Sequence, residues 1–228
     1  METKYDALLF DLDGTLADTY AIVLSCFRYS IHEVLGKDLP DEELMKKVGQ
    51  PLAVQMEDFS DDANERAELL RVYSEYSEEI HDNMITVFPG VIQGLAQLKL
   101  AGYKMAIVTS KRRYMAEHGT KLLGIHGFFD EIVSSDDTEK HKPNPEPVLY
   151  ACEKLGVNPE KCAFVGDSPF DLQAGRDAGC DTIAVSWGMF DMNTLLDEHP
   201  TVYCEEFEEI VRAAGVNSEE LAEELAEE

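Results

Sequence analysis

Short apolar runs alternate with longer helical patterns through most of this chain, and that alternation constrains the fold more than any other feature. The predicted strands cover residues 5–10, 104–108, 131–133, 162–165 and 182–185. The predicted helices between them cover residues 91–101, 112–123, 145–155 and 171–178. Strands separated by helices pair in parallel, and the helices cover both faces of the sheet. The sequence therefore predicts an α/β fold whose core is a Rossmann-like, doubly wound parallel sheet.

Residues 17–86 interrupt this alternation, because they show helical patterns and no convincing strand. Helices are predicted there at residues 19–35, 41–48, 52–59 and 63–83. We therefore predict two domains. The core is formed by residues 1–16 and 87–228, and an inserted α-helical cap is formed by residues 17–86.

The acidic composition limits the partners that we expect. The 228 residues include 46 acids and 19 bases, which gives a formal net charge of −27. A surface this negative repels nucleic-acid phosphates and anionic membranes, so we expect neither as a partner. No stretch approaches the roughly 18 apolar residues of a membrane helix, and no signal peptide is evident.

The cysteines indicate a reducing compartment. The five cysteines are scattered, and no two form a Cys-x-x-Cys pair. This usage is typical of reduced, buried thiols and argues against a cysteine zinc site or a disulfide framework. We expect a cytoplasmic protein that is a monomer or a homodimer. Residues 217–228 are predicted to form a solvated acidic helix.

Four polar clusters follow predicted strands or precede a predicted helix. They are Asp11-Leu12-Asp13-Gly14-Thr15, Thr109-Ser110-Lys111, Lys142-Pro143 and Gly166-Asp167-Ser168-Pro169-Phe170-Asp171. Each cluster alone has an ordinary explanation as a turn, a strand-end hydroxyl, a solvated lysine or a helix start. In parallel α/β sheets, however, ligands bind beyond the carboxyl ends of the strands. The shared placement of the clusters therefore indicates one crevice.

The residue types in these clusters favour phosphoryl chemistry. Carboxylates that lie close together repel one another unless a cation lies among them, and Mg²⁺ suits carboxylate, water and phosphate oxygens. With Asp11 and Asp13 two residues apart at a strand end, one can attack while the other handles a proton. The hydroxyl of Thr109 and the ammonium of Lys142 are suited to bind the oxygens of a transferring phosphoryl group.

The four clusters in this order resemble the signature of the haloacid dehalogenase-like hydrolase superfamily. The resemblance begins with Leu8-Leu9-Phe10 and Asp11-Leu12-Asp13-Gly14-Thr15-Leu16, and it extends over residues 5–211. The helical insert resembles the cap of the phosphoglycolate phosphatase and β-phosphoglucomutase branch. Residues 48–52 and 141–148 look most like phosphoglycolate phosphatases and the related inorganic pyrophosphatases.

The resemblance implies catalytic roles for three aspartates. Asp11 is the expected nucleophile, which forms an aspartyl-phosphate. Asp13 is the expected general acid and then the general base. Mg²⁺ is the implied cofactor, and its ligands would be the carboxylates of Asp11 and Asp167 and the backbone carbonyl of Asp13.

The resemblance also implies which residues bind the phosphoryl group. Thr109, Ser110 and Lys142 are the expected phosphate-binding residues, with Ser110 contributing its backbone N–H. Asp171 is expected to support the metal site or Lys142 without touching the substrate.

The sequence leaves the substrate open. Gln50 in the cap and Lys111 after the second cluster are the candidate specificity residues, and Lys111 mildly favours a substrate with a second phosphate or another anionic group. The first hypothesis is hydrolysis of a small phosphorylated metabolite such as phosphoglycolate, followed by pyrophosphate hydrolysis and then a phosphosugar mutase. A non-enzymatic phospho-aspartate receiver and a degenerate scaffold are the remaining alternatives.

Overall fold

The computed structural model describes residues 3–217, so the predicted acidic helix lies outside the described residues apart from Asn217. The strands in this part of the chain are Ala7–Phe10 (β1), Ala17–Asp18 (β2), Thr86–Val87 (β3), Lys104–Val108 (β4), Glu131–Val133 (β5), Cys162–Gly166 (β6), Asp181–Val185 (β7) and Val202–Cys204 (β8). The helices are Tyr20–Leu35 (α1), Asp41–Leu44 (α2), Leu52–Gln55 (α3), Ala63–Met84 (α4), Val91–Leu100 (α5), Arg113–Leu122 (α6), Glu146–Leu155 (α7), Pro169–Ala178 (α8), Met192–Leu196 (α9) and Phe207–Ala213 (α10).

Six of these strands form one parallel sheet in the order β5-β4-β1-β6-β7-β8. Strand β1 lies inside the sheet, between β4 and β6, and all four of its residues are buried. A strand covered on both faces has to be apolar throughout, and β1 reads Ala-Leu-Leu-Phe. The predicted fold class is confirmed.

Alternate residues of β1 point to two separate hydrophobic cores. Leu8 and Phe10 join the core that α5, α6 and α10 cover, whereas Ala7 and Leu9 join the core beneath α7 and α8. This alternation follows from the two-residue period of a strand. Helices therefore cover both faces, as a doubly wound sheet requires.

Helices α1–α4 pack mainly on one another. Phe27, Ile31, Leu44, Met56 and Leu69 are buried in a hydrophobic cluster of their own. The predicted helix at residues 41–48 ends at Leu44, and the helix predicted at 52–59 is divided into α3 and the short 3₁₀ turn Met56–Asp58. The first difference adjoins the turn at Gly49, whose φ of 102° cannot continue a helix.

The expectation that residues 17–86 contain no strand was wrong. Ala17 pairs with Val87 and Asp18 with Thr86 in a two-stranded antiparallel ribbon, β2–β3. Each strand has only two residues, which is too short to show an alternating pattern. The ribbon lies where the chain leaves the core and where it returns.

Among residues 3–217, no helix combines the length and the apolar character that a membrane crossing demands.

Candidate active site

Three neighbouring parallel strands bring the main site residues together. Asp11 follows β1, Thr109 follows β4 and Asp167 follows β6, and β1 lies between the other two strands. The carboxyl ends of these strands therefore lie side by side at one edge of the sheet. Gly14 lets the loop after β1 approach Asp167, because a Cβ on Gly14 would lie 2.2 Å from Oδ2 of that aspartate.

Lys142 lies at the centre of a buried charge cluster. Its Nζ lies 2.9 Å from Oδ1 of Asp11 and 2.6 Å from Oδ1 of Asp171, and it donates to the carbonyl of Val108 at 3.2 Å. All three charged side chains are buried. Burial alone would lower the pKa of Lys142, but the two carboxylates raise it above its usual value. Lys142 is therefore a fixed cation beside Asp11.

Asp171 is held in turn by Ser168. Oδ2 of Asp171 accepts hydrogen bonds from the Ser168 hydroxyl at 2.6 Å and from the Ser168 backbone N–H at 3.1 Å. The two residues form a capping box at the start of α8. One carboxylate thus both caps a helix and orients Lys142, so Asp171 lies where the sequence predicted a supporting residue.

The aspartates are more crowded than one lysine can neutralise. Carboxylate oxygens of Asp11, Asp167 and Asp171 lie within 4.8 Å of one another. Burial, followed by repulsion from Asp171, raises the pKa of Asp167 to about 7. Burial likewise raises the pKa of Asp11 well above its usual range, against the opposing effect of Lys142. No group in residues 3–217 donates a well-directed hydrogen bond to Oδ1 of Asp11. This donor set fits a divalent cation bound through oxygen.

Asp167 is positioned by two contacts that the sequence analysis did not identify. Its Oδ1 accepts a hydrogen bond from the Thr15 hydroxyl at 3.0 Å, and its Oδ2 accepts one from the backbone N–H of Met189 at 2.8 Å. Met189 belongs to the loop after β7, where Gly188 lies so close that a Cβ there would be 2.1 Å from Cβ of Asp167. The rule that ligands lie beyond strand ends, applied to Ser186-Trp187-Gly188 after β7, would have indicated this loop.

Lys111 pairs with Asp13. Its Nζ lies 2.8 Å and 3.0 Å from the two oxygens of the Asp13 carboxylate. Burial would raise the pKa of Asp13, but the charge and hydrogen bonds of Lys111 lower it below its usual value. Asp13 is thus held as a carboxylate. Lys111, which was expected to contact a second phosphate, is instead ion-paired with Asp13, the expected acid–base residue.

The cap reaches the site through the turn that contains Gly49. The hydroxyl of Ser110 donates to the carbonyl of Gly49 at 2.6 Å. Gln50 lies beside this contact, and its own carbonyl accepts a hydrogen bond from Nε2 of Gln55 within the cap. Thr109 is buried, and its hydroxyl accepts from the backbone N–H of Lys111 at 3.2 Å. The specificity candidate Gln50 therefore lies on the segment of the cap that touches the core.

A doubly wound sheet with buried carboxylates and a buried lysine at its carboxyl edge defines an enzyme that handles phosphoryl groups. The comparison with known families gives the particular kind. This chain belongs to the haloacid dehalogenase-like hydrolase family, whose sequence model matches residues 8–185. It is a phosphoric ester hydrolase of that family, in which Mg²⁺ is the general cofactor and small phosphorylated compounds are the substrates. The receiver and scaffold alternatives are therefore not supported.

Relatives are similar over nearly the whole chain. A protein of Caldanaerobacter subterraneus, provisionally named pyrophosphatase PpaX, is 39% identical over 92% of this chain and 94% of its own length. Pyrophosphatase PpaX of Bacillus velezensis is 35% identical over 94% of this chain and 99% of its own length. A crystal structure described as a predicted phosphoglycolate phosphatase from Haemophilus somnus superposes with a TM-score of 0.86 at 25% identity, covering 93% of this chain and 99% of that one.

Proposed function

We propose that this protein is a Mg²⁺-dependent phosphatase that hydrolyses a small phosphomonoester, with phosphoglycolate as the first candidate substrate, through an aspartyl-phosphate on Asp11. The observation that carries the proposal is the buried carboxylate of Asp11 next to the fixed cation Lys142, with the carboxylate of Asp167 beside it. We further propose that residues 17–86 act as the cap over this site and that residues 1–16 and 87–228 act as the catalytic core.

The proposed reaction has two steps, each a displacement at phosphorus. An oxygen of Asp11 attacks phosphorus while the bond to the leaving oxygen breaks, and Asp13 donates a proton to that oxygen. Asp13 then takes a proton from the water that attacks the aspartyl-phosphate, which releases inorganic phosphate and restores the carboxylate of Asp11. Lys142 and the hydroxyl of Thr109 bind the phosphoryl oxygens, together with the backbone N–H of Ser110.

The carboxylates of Asp11 and Asp167 and the backbone carbonyl of Asp13 would hold Mg²⁺. When bound, the ion would neutralise the carboxylates and the phosphoryl oxygens during both displacements. Asp171 would not touch the ion, and its role would be to keep Lys142 in place beside Asp11. Lys111 must leave Asp13 before Asp13 can act as an acid, because the ion pair lowers the pKa of that carboxyl.

Inorganic pyrophosphate is the second candidate substrate, and Lys111 favours it. A lysine that must leave Asp13 needs another anion to bind, and the second phosphate of pyrophosphate would supply one. The relatives from Caldanaerobacter subterraneus and Bacillus velezensis carry pyrophosphatase names, which also supports this candidate. A phosphosugar mutase would require Asp11 to return its phosphoryl group to a sugar instead of to water.

The test is phosphate release by the purified full chain with Mg²⁺, measured on phosphoglycolate, pyrophosphate, sugar phosphates and nucleotides. We expect one of the first two substrates to be turned over fastest, and Asp11→Asn to lower turnover by a factor of about 10³ or more. Asp6→Asn, at an exposed aspartate just before β1, is the matched control and should leave turnover unchanged. Release that persists in Asp11→Asn would contradict the mechanism, and isomerisation of a sugar phosphate without release would favour the mutase.

A further inference from the structure

A second group of ligand-type side chains lies between the cap and the core, and it shares no residue with the cluster of Asp11, Asp167 and Asp171. His81 and Asp82 lie near the end of α4, and His118 lies in α6. Oδ1 of Asp82 is 3.0 Å from Nδ1 of His81 and 2.7 Å from Nε2 of His118. One carboxylate oxygen thus bridges two imidazoles that belong to different parts of the fold.

The three side chains have the composition and spacing of a transition-metal site. One ligand atom from each residue lies within 4.8 Å of the other two. Nitrogen and oxygen ligands about 2.0–2.1 Å from Zn²⁺ are roughly 3.3 Å apart in a tetrahedral site, and Oδ1 of Asp82 lies near that spacing from both imidazoles, at 3.0 Å and 2.7 Å. Imidazole favours Zn²⁺ and similar ions, whereas Mg²⁺ takes oxygen ligands.

The surroundings of the cluster leave it open to a ligand. The side chain of His81 is only 1% exposed, and its Nε2 has no hydrogen-bond partner among residues 3–217, so Nε2 can carry the ring proton and leave the lone pair of Nδ1 to a metal ion. A cavity of about 370 Å³ opens beside the cluster, and its lining includes Glu78 and Tyr114. The cavity has room for the water that would complete a tetrahedral shell.

We propose that His81, Asp82 and His118 bind one divalent transition-metal ion, for which Zn²⁺ is the best-suited candidate, and that this ion links α4 of the cap to α6 of the core. The site is separate from the Mg²⁺ site and does not depend on which ester the enzyme hydrolyses. Each imidazole would coordinate in its neutral form through the nitrogen that now faces Asp82, and the ring proton would then be carried by the other nitrogen, Nε2 of His81 and Nδ1 of His118. The bound ion would restrain the movement of α4 relative to α6.

The test uses the full chain with saturating Mg²⁺ and titrates Co²⁺ as a spectroscopic probe, followed by Zn²⁺ in calorimetry. We expect the strong visible absorption of tetrahedral Co²⁺, and we expect His118→Gln and Asp82→Asn each to weaken binding by about tenfold or more. Both side chains are 51% exposed, so both variants should fold, which circular dichroism can check. His32→Gln is the matched control. His32 is an exposed histidine of α1, and its Nδ1 lies 3.2 Å from Oδ1 of Asp38.

A further variant separates this site from the aspartate cluster. Asp167→Asn should keep the Co²⁺ spectrum, because none of the three proposed ligands is altered. Zn²⁺ should also slow phosphate release in the parent protein but not in His118→Gln, because only the parent can be restrained by the ion. The proposal is overturned if Co²⁺ keeps its six-coordinate aqueous spectrum. It is equally overturned if binding survives in His118→Gln and disappears in Asp167→Asn.

Discussion

Lys142 illustrates how the site keeps a charge in the protein interior. A buried ion is costly unless its partners are close and well directed, and Lys142 has a carboxylate on each side. Removing one partner leaves the others poorly compensated. Substituting any one member of this cluster should therefore lower turnover by more than the loss of its own contacts with substrate would.

Replacement of Asp171 by asparagine should reduce turnover although Asp171 does not touch the substrate. Lys142 would lose one of its two ion pairs and would be held less firmly against Asp11, so we expect kcat to fall by about 10–100-fold with little change in KM. Steady-state kinetics on the preferred substrate measures both constants. Asp177→Asn, at an exposed residue of the same helix, is the control. An unchanged kcat in a folded Asp171→Asn protein would remove the positioning role.

Replacement of Lys111 by methionine should distinguish substrates with one phosphate from those with two. If Lys111 binds the second phosphate, the variant loses a charged hydrogen bond that contributes about 1.5–3 kcal/mol. The loss in kcat/KM should then be roughly 10–100-fold larger for pyrophosphate than for 4-nitrophenyl phosphate. The measurement is kcat/KM for both substrates in both proteins. Lys121→Met, an exposed change on α6, controls for the loss of a charge. Equal losses for the two substrates would limit Lys111 to its role on Asp13.

The residues that sequence reasoning could place are those whose side chains carry the chemistry. Asp11 and Asp167 directly follow strands of the parallel sheet, and Lys142 lies in the segment between β5 and α7, from which it reaches Asp11. The rule about strand ends indicates the loop after β7 but could not single out Met189, because Met189 positions Asp167 through its backbone N–H, which any residue other than proline provides. The roles assigned to the site residues stay predictions until the variants are measured.

At the scale of elements, the loop after β5 is tied to the start of α6. Asp137 accepts hydrogen bonds from the Ser134 backbone N–H at 2.7 Å and from Arg113 at 2.8 Å. The same guanidinium donates to the carbonyl of Ile132 at 2.8 Å. These contacts fix α6 against the sheet edge, and α6 begins two residues after Lys111.

The Asp137 contacts predict a pH-dependent loss of stability in Asp137→Asn. Partial burial raises the pKa of Asp137, but hydrogen bonds from Arg113 and Ser134 outweigh it and lower that pKa below its usual value. In the unfolded chain the pKa of an aspartate is about 3.9, and in the folded protein the pKa of Asp137 is lower. The carboxylate therefore stabilises the folded state above about pH 3.9, and this stabilisation is lost as the pH falls through the pKa of the folded state. Urea unfolding at pH 7 should show a loss of about 1–3 kcal/mol that shrinks below about pH 4. Asp61→Asn, an exposed change, should show neither effect; a loss that does not depend on pH would contradict the explanation.

Strands that bury a continuous apolar run were predictable and so was the short strand β5, whereas β8 and the β2–β3 ribbon were not. Strands β1, β4 and β6 lie in the middle of the sheet, so both of their faces must be apolar and the runs are conspicuous. The sheet-edge strand β8 has three residues, of which only Cys204 is buried, and it was missed. The β2–β3 ribbon depends on a pairing between residues far apart in the sequence, which local patterns do not reveal.

At the scale of the whole molecule, Mg²⁺ should stabilise the fold. If the ion binds only the folded protein, it adds about 2.7 kcal/mol at a concentration 100 times its Kd, because unfolding must then release it. Thermal unfolding with and without Mg²⁺ measures this effect. The comparison needs matched ionic strength, since any salt screens the repulsion within a chain of net charge −27. Asp167→Asn should lose the Mg²⁺-specific increase in Tm, and an equal increase in that variant would indicate screening alone.

The expectations about the molecule's surroundings rest on composition. The absence of nucleic-acid and membrane partners, the cytoplasmic location and the monomeric or homodimeric state stay predictions. Composition could give these expectations because net charge acts over the whole surface. The choice between phosphoglycolate and pyrophosphate instead depends on a few contacts near Gln50 and Lys111. Those contacts depend on how the cap turn meets the core, which no periodicity encodes.

The strand order also determines how this chain must assemble during translation. Strand β1 is made first, yet its two neighbours are β4 and β6, and the pairing of Ala7 with Cys162 waits for roughly 150 further residues. At roughly 5–20 residues per second, the ribosome needs on the order of 8–30 s to deliver them. During that interval the Ala-Leu-Leu-Phe segment has no partner strand on that side. The strand that presents Asp11, the proposed nucleophile, is therefore the strand of the sheet that waits longest for its second neighbour.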